Sequence, residues 1–278
     1  MTAVEVRVSS QWLRLREPAD AAARSTDLAR MVVAVLDGAA PAVVHDLGCG
    51  SGSMGRWLAP LLEGPQHWVL HDRDVDLLGV AAADPPRAGA DGATVTVETR
   101  QDDLTRLGTH DLAGASLLTA SALLDMLTAE ELGRFVRSCA AAACPTLLTL
   151  SVSGGVRLTP TDPLDAVLGA AFDGHQRRTT GGRTLLGPDA AQVAVDAFGG
   201  LGARVEVRAS PWRLGAGDES LVSEWIDGWV GAAVEQRPEL ATDGAGYLER
   251  RRTDLEHGRL AVTVPHLDLL ALPSGAAA

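Results

Sequence analysis

The 278-residue sequence predicts an α/β protein built on a doubly wound, mostly parallel sheet. Three observations predict it. Short β-branched apolar runs alternate with helical patterns, which implies parallel pairing through right-handed crossovers. A glycine-rich turn, Gly48 to Gly52, breaks the chain directly after the first apolar run. Apolar residues make up 46% of the chain against 22% charged, enough to fill a substantial core.

The elements follow in order. Val8 to Leu36 reads as helical and precedes the first strand, so residues 1–40 are expected to be leading helices beside the sheet. Val43 to Leu47 is the first strand, and Met54 to Leu62 the helix after the glycine turn. His67 to His71 is the second strand, followed by a short helix from Asp74. Thr94 to Glu98 alternates as a third strand, and Leu112 to Thr119 is a fourth, weakened by Gly114. Thr128 and Glu131 have the spacing of a capping box, with Thr128 as N-cap of the next helix. Thr146 to Val152 is a fifth strand after Pro145. Pro188 to Leu201 reads as a helix, Arg204 to Ala209 as a strand, and Leu260 to Leu270 holds another. Two segments interrupt the alternation: 153–187 after the fifth strand, and 215–258 before the last. The first contains a helix around Leu164 to Phe172, and the second helices around Glu219 to Glu235 and Tyr247 to Glu256. Insertions there usually cover a cleft or supply its walls. No linker divides the chain, so residues 1–278 are expected to form one domain.

Composition excludes several functions. The 24 basic and 36 acidic residues leave a formal charge of −12, and no basic run is long enough to neutralise a phosphate backbone. Arg250 to Arg252 is the densest run, and Glu249, Asp254 and Glu256 flank it. No nucleic-acid partner is expected. Cys49, Cys139 and Cys144 form no CxxC pair, and an odd number of scattered thiols fits a reducing cytoplasm. No signal peptide or membrane-spanning run is read, so no membrane partner is expected.

The chemistry starts at Asp46-Leu47-Gly48-Cys49-Gly50-Ser51-Gly52. Glycines at alternate positions let the backbone approach a ligand closely. A helix start offers free N–H groups to an anion, as a dinucleotide pyrophosphate requires. The acid beside the turn opposes that and suits a cationic ligand, whose ammonium a carboxylate attracts. Asp72 ends the second strand, where a carboxylate can accept both hydroxyls of a ribose. Asp102 and Asp103 follow the third, where a side chain can accept from an adenine amino group.

With these residues the chain resembles the class I S-adenosylmethionine-dependent methyltransferases, closely from Ala42 to about Val152 and loosely after Pro188. The resemblance implies seven strands in the order 3-2-1-4-5-7-6, the seventh antiparallel and supplied by Leu260 to Leu270. It implies that Gly48, Gly50 and Gly52 line the methionine part of the cofactor and that Asp72 holds the ribose. Asp102 or Asp103 with Leu104 would hold the adenine. Asp46, Arg73 and Ser121 complete the expected cofactor set, and Thr119 to Asp125 would pass beneath it. The Asn/Asp-Pro-Pro-Tyr/Phe motif of amino-group enzymes is absent, as is an Asp…Asp-Asn metal set. A small-molecule acceptor and no metal are therefore expected.

Candidates on the acceptor side carry a plainer reading beside the functional one. Asp125 is the first candidate for touching the acceptor, or else caps a helix nearby. His175 is a candidate base, or an exposed loop histidine. Arg177 and Arg178 have the chemistry to clamp a carboxylate, or are solvated. Trp212 and Tyr247 line the acceptor pocket, or belong to the core. Arg24 reaches for the cofactor carboxylate, or pairs with Asp20 at i,i+4 spacing. Two other functions stay open: a cofactor-binding protein that transfers no methyl group, and a nicotinamide-dependent oxidoreductase. A homodimer through an insertion also stays open.

Overall fold

The computed structural model describes residues 8–36 and 41–274. The chain opens with α1 (Ser10–Ala23) and α2 (Thr26–Val35), capped by the hydroxyls of Ser9 and Ser25. The leading-helix expectation for 1–7 and 37–40 lies outside the described residues. Then come β1 (Ala42–Leu47), α3 (Ser53–Leu58), β2 (Gln66–Asp72), α4 (Val75–Ala83), β3 (Val95–Gln101) and β4 (Leu117–Ser121). Next are α5 (Ala129–Ala141), β5 (Thr146–Val152), β6 (Arg157–Thr159), α6 (Asp165–Gln176), β7 (Thr179–Thr180) and β8 (Arg183–Thr184). The chain continues through α7 (Ala190–Gly200), β9 (Arg204–Ala209), β10 (Trp212–Leu214), α8 (Glu219–Gln236) and α9 (Ala241–Glu256). It closes with β11 (Ala261–Val264) and β12 (His266–Leu272).

Seven strands form the main sheet in the order β3-β2-β1-β4-β5-β12-β9. β1 to β5 pair in parallel, and β12 runs antiparallel to both β5 and β9. Counted along this sheet alone, that is 3-2-1-4-5-7-6, the order the resemblance implies. One apolar core lies on the α2–α4 face, around Val44, Trp68 and Leu70. The other face packs on α5 and α7 through Leu118, Phe135 and Phe198. The capping box at α5 forms as read: Glu131 N–H donates to the Thr128 hydroxyl at 3.2 Å, and Thr128 N–H to Glu131 at 2.9 Å.

Two sequence readings change in the structure, and one link left unassigned by the sequence is defined. The fourth strand starts at Leu117 rather than Leu112, because Leu112 ends a 3₁₀ turn and Gly114 takes φ +80°. The β3–β4 connection, to which the sequence reading assigned no element, carries two 3₁₀ turns, Leu104–Arg106 and Thr109–Leu112. The run 260–270 is two strands, not one, since Pro265 cannot donate to a ladder. β11 leaves the main sheet there and joins β10 and β6 in a second, three-stranded one.

That small sheet organises a third core. Trp12 and Leu15 of α1 pack with Leu168 of α6, Trp225 and Trp229 of α8, Tyr247 of α9 and Trp212 of β10. Segments from 153–187 and 215–258 thus meet the leading helix above the carboxyl ends of the parallel strands.

Candidate functional site

The glycine turn leaves β1 with Gly48, Gly50 and Gly52 at φ +73°, +53° and +85°. L-residues pay for such backbone, so glycine is required at all three. The turn is tied down from β2, because the His71 carbonyl accepts from Gly48 N–H at 2.8 Å and Cys49 N–H at 2.9 Å. Asp72 braces it as well: one carboxylate oxygen accepts from Gly50 N–H and the other from Asp74 N–H, both at 2.9 Å. Each oxygen keeps a lone pair for a ligand hydroxyl.

Helix α1 lies over this turn. A Cβ on Gly50 would sit 3.1 Å from Leu13, and one on Gly48 3.2 Å from Leu104 and 3.3 Å from Leu123. Glu17 makes a bidentate pair with Arg56, both bonds 2.7 Å, and Arg56 Nη1 donates to the Ser51 carbonyl at 2.8 Å. The helix is thereby fastened to the loop it covers.

Beneath α1 lie two buried charges. Arg24, at the end of α1, donates to the Ser53 carbonyl (3.3 Å), the Ser53 hydroxyl (3.0 Å) and the Ser121 hydroxyl (3.1 Å). All three are neutral oxygens. Its Nε has no partner, and among the described residues it forms no ion pair. Burial pulls its pKa down. Asp46 takes the Thr119 hydroxyl on Oδ1 at 2.8 Å, while Oδ2 is buried without a partner. Burial pushes its carboxyl up to about 6, against the pull of Thr119 and Arg24. Each charge feels the other without bonding to it. Asp20 does not take Arg24. It takes Arg16 (3.0 Å) and the indole N–H of Trp212 (3.0 Å).

The two acids after β3 differ. Asp102 accepts from His71 Nδ1 at 2.8 Å through Oδ2, and its backbone N–H donates to the Asp72 carbonyl at 3.0 Å. Asp103 turns back onto its own chain, accepting from Thr105 N–H at 3.0 Å and Oγ1 at 2.7 Å. Arg73 is exposed beside Asp72, and its carbonyl accepts from Gln101.

The acceptor-side candidates separate. Asp125 is half-buried after β4, where burial lifts its carboxyl to about 6 and Arg16 and Arg178 oppose the rise. His175 sits between α6 and α8, with Nε2 3.2 Å from Glu235 and Nδ1 3.4 Å from Arg178. Arg177 is exposed and bidentate on Asp189, at 2.6 and 2.8 Å. Tyr247 is fully buried, with its hydroxyl on Asp165 at 2.7 Å and the Arg251 guanidinium 4.9 Å from its ring. Trp212 is buried, with Arg16 over its ring at 4.9 Å. Asp125 thus lies within electrostatic reach of Arg16 and Arg178, while Arg177 and Tyr247 have structural partners in Asp189 and Asp165. Trp212 serves as a prop for α1.

The sequence reading passed over His45 and His71. His45 Nδ1 lies 3.0 Å from His71 Nε2, and the rings stack with centroids 5.1 Å apart. A signal was present: both strands end in the dipeptide His-Asp, at 45–46 and 71–72. Alternation then sends both histidines to one face and both acids to the other.

A cavity of about 540 Å³ opens among Glu219, Glu224, Asp227 and Glu256. One of about 150 Å³ lies by Cys144 and Phe198. Neither is lined by the glycine turn.

No protein-family model matches the chain. No curated protein matches it either. Solved structures do. The YcgJ protein of Bacillus subtilis is 14% identical, with a TM-score of 0.51 over 90% of this chain and 100% of that one. The cyclopropane synthase MmaA2 of Mycobacterium tuberculosis is 13% identical, with a TM-score of 0.49 over 95% and 94%. A methyltransferase of Thiobacillus denitrificans, solved with S-adenosyl-L-homocysteine, is 14% identical, with a TM-score of 0.45 over 95% and 99%. At 14% identity the likeness to the YcgJ protein shows a shared fold and nothing finer. The observed strand order is the one that the resemblance of the glycine turn and its acids to the class I methyltransferases implies.

Proposed function

We propose that the chain binds S-adenosylmethionine across the carboxyl ends of β1 to β3, under α1, and transfers its methyl group to a small-molecule acceptor. One observation carries this reading. Arg24 and Asp46 are buried opposite charges that do not bond to each other, and each has an atom without a partner. A buried charge left unpaired is costly. The pair suits the zwitterionic end of an amino acid, with carboxylate toward Arg24 and ammonium toward Asp46. A nicotinamide dinucleotide carries no ammonium beside a carboxylate, which disfavours the oxidoreductase reading.

The remaining roles follow from position. Gly48, Gly50 and Gly52 let the ligand lie against the backbone. Asp72 would hold the ribose. Asp102, not the self-occupied Asp103, would meet the adenine beside Leu104. Ser121, already holding Arg24, would support the carboxylate end. Bound there, the cofactor supplies a methyl group that the sulfonium makes electrophilic. The chain contributes alignment of an in-line displacement and exclusion of water beneath α1. Asp125 would face the acceptor and take a proton where the acceptor loses one. Nothing in these roles calls for a metal, and a cytoplasmic setting with a free small-molecule acceptor fits them.

A second reading has its own support. Leu13, Leu104 and Leu123 press directly on the turn, as in a protein that seals the cofactor without transferring methyl. Calorimetry with S-adenosylhomocysteine and with NAD tests the binding, and binding of NAD alone would overturn the proposal. Label from methyl-tritiated cofactor appearing in an acceptor panel separates the enzyme from the sealed binder.

A further inference from the structure

We infer that His71, held in one tautomer by His45, positions Asp102 to select an amino-bearing nucleobase over its deaminated counterpart. The inference rests on the cofactor placement proposed above and deepens it.

Tautomer logic comes first. An ionised carboxylate only accepts hydrogen bonds, so the 2.8 Å contact to Asp102 Oδ2 requires the proton on His71 Nδ1. His71 Nε2 is then a lone pair, and the 3.0 Å contact requires the proton on His45 Nδ1. Both rings are buried. Burial lowers the pKa of both, that of His45 to about 4, which favours neutral rings, and with neutral rings the two contacts fix one direction for the chain of protons.

The consequence falls on Asp102. Its side chain is 37% exposed, and among the described residues His71 is its one hydrogen-bond partner. Asp103 serves as the internal control. One position later, with no histidine beside it, the same side chain folds back onto Thr105. Held by His71, Asp102 keeps Oδ1 free of any hydrogen bond among the described residues and stays on the rim with Asp72. A carboxylate oxygen accepts from an exocyclic amino group and repels a carbonyl oxygen in the same place. His71 also carries the glycine turn on its own carbonyl, so one residue sets the spacing between the ends of the nucleoside site.

The test is calorimetry of the full chain with S-adenosylhomocysteine and S-inosylhomocysteine. The wild type is expected to prefer the adenine compound about 30-fold or more, as sites built around a specific polar contact do. His71→Phe should bring the ratio near unity and leave affinity for the inosine compound within about threefold. His71→Asn, whose amide can stand in for Nδ1–H, should restore most of the preference. An unchanged ratio in His71→Phe overturns the inference, and so does an equal loss for both compounds, which would mark His71 as a support of the turn alone. Imidazole ¹⁵N spectra of the wild type need no variant to fold: a proton on His71 Nε2 rather than Nδ1 also overturns it. A wild type that binds neither compound fails the cofactor proposal instead.

Discussion

The glycine-turn rim and the helical cover above it handle polar groups in opposite ways. In the cover, Arg251 donates to Asp165 and the Pro160 carbonyl, Tyr247 to Asp165, Arg250 to Asp162 and Arg177 to Asp189. At the rim, Arg24 holds only neutral oxygens and Asp46 leaves an oxygen bare. Both regions bury charge. The cover neutralises it within the chain, whereas the rim leaves opposite charges near each other and unbonded. Single polar atoms without a partner occur in both regions, at Arg251 Nε and Trp229 Nε1 in the cover as at Arg24 Nε on the rim; what sets the rim apart is a buried charge with no opposite charge bonded to it.

The contrast predicts that mutations in the cover cost stability, while mutations at the rim cost ligand. Trp229, fully buried and stacked on Trp225 at 5.6 Å, is the strongest case in the cover. Trp229→Ala should lower unfolding free energy by about 3–5 kcal/mol, read by urea denaturation. Protein still folded should bind S-adenosylhomocysteine within about twofold of wild type.

Arg24→Met should do the reverse. Affinity for S-adenosylhomocysteine should fall about 100-fold, or about 3 kcal/mol, the scale of breaking a buried charged contact. Unliganded stability should hold or rise, because the unmatched guanidinium is gone. A large drop in melting temperature with affinity intact would reverse the comparison.

Acidity sharpens it next. The Asp46 carboxyl sits at about 6, above its ordinary 3.8, so the folded chain holds this proton more tightly than the unfolded one. That contribution is complete below about pH 4 and lost as pH rises through about 6, on the order of 3 kcal/mol. Asp46→Asn should remove this part of the dependence, seen as a smaller difference between melts at pH 5 and pH 8. A bound ammonium favours the ionised form, so wild-type affinity for S-adenosylhomocysteine should strengthen as pH rises through about 6.

The smallest effect is expected at Arg177. Its pair with Asp189 is exposed, and Arg177→Ala should shift stability by less than about 1 kcal/mol and leave ligand affinity unchanged.

Much of the fold was legible in the residues. β5 and β9 fall where alternation and flanking breakers put them, and the Thr128–Glu131 box forms as spaced. The β3–β4 link was misread because the apolar stretch from Leu112 runs into the true strand, and only tertiary context shows that Gly114 turns between them. The site was legible at the glycine turn, where spacing itself is the chemistry. It was not legible at Arg24. Arg16, Asp20 and Arg24 stand four residues apart in turn, so spacing allows Asp20 either arginine. Packing of Trp212 onto Asp20 and Arg16 makes the choice. Nor does local spacing show that the Tyr247 hydroxyl bonds Asp165, 82 residues away.

The bare crossover between β3 and β4 has one more consequence. β3 is an edge strand with no buried residue, and Thr96, Glu98, Thr99 and Gln101 all meet solvent. A strand so placed opens without uncovering much apolar surface. Its amides should trade hydrogen for deuterium well before those of β4 and β5, and a nucleoside joining Asp72 to Asp102 should slow that trade. An edge of the sheet that opens readily is then also one that a ligand would secure.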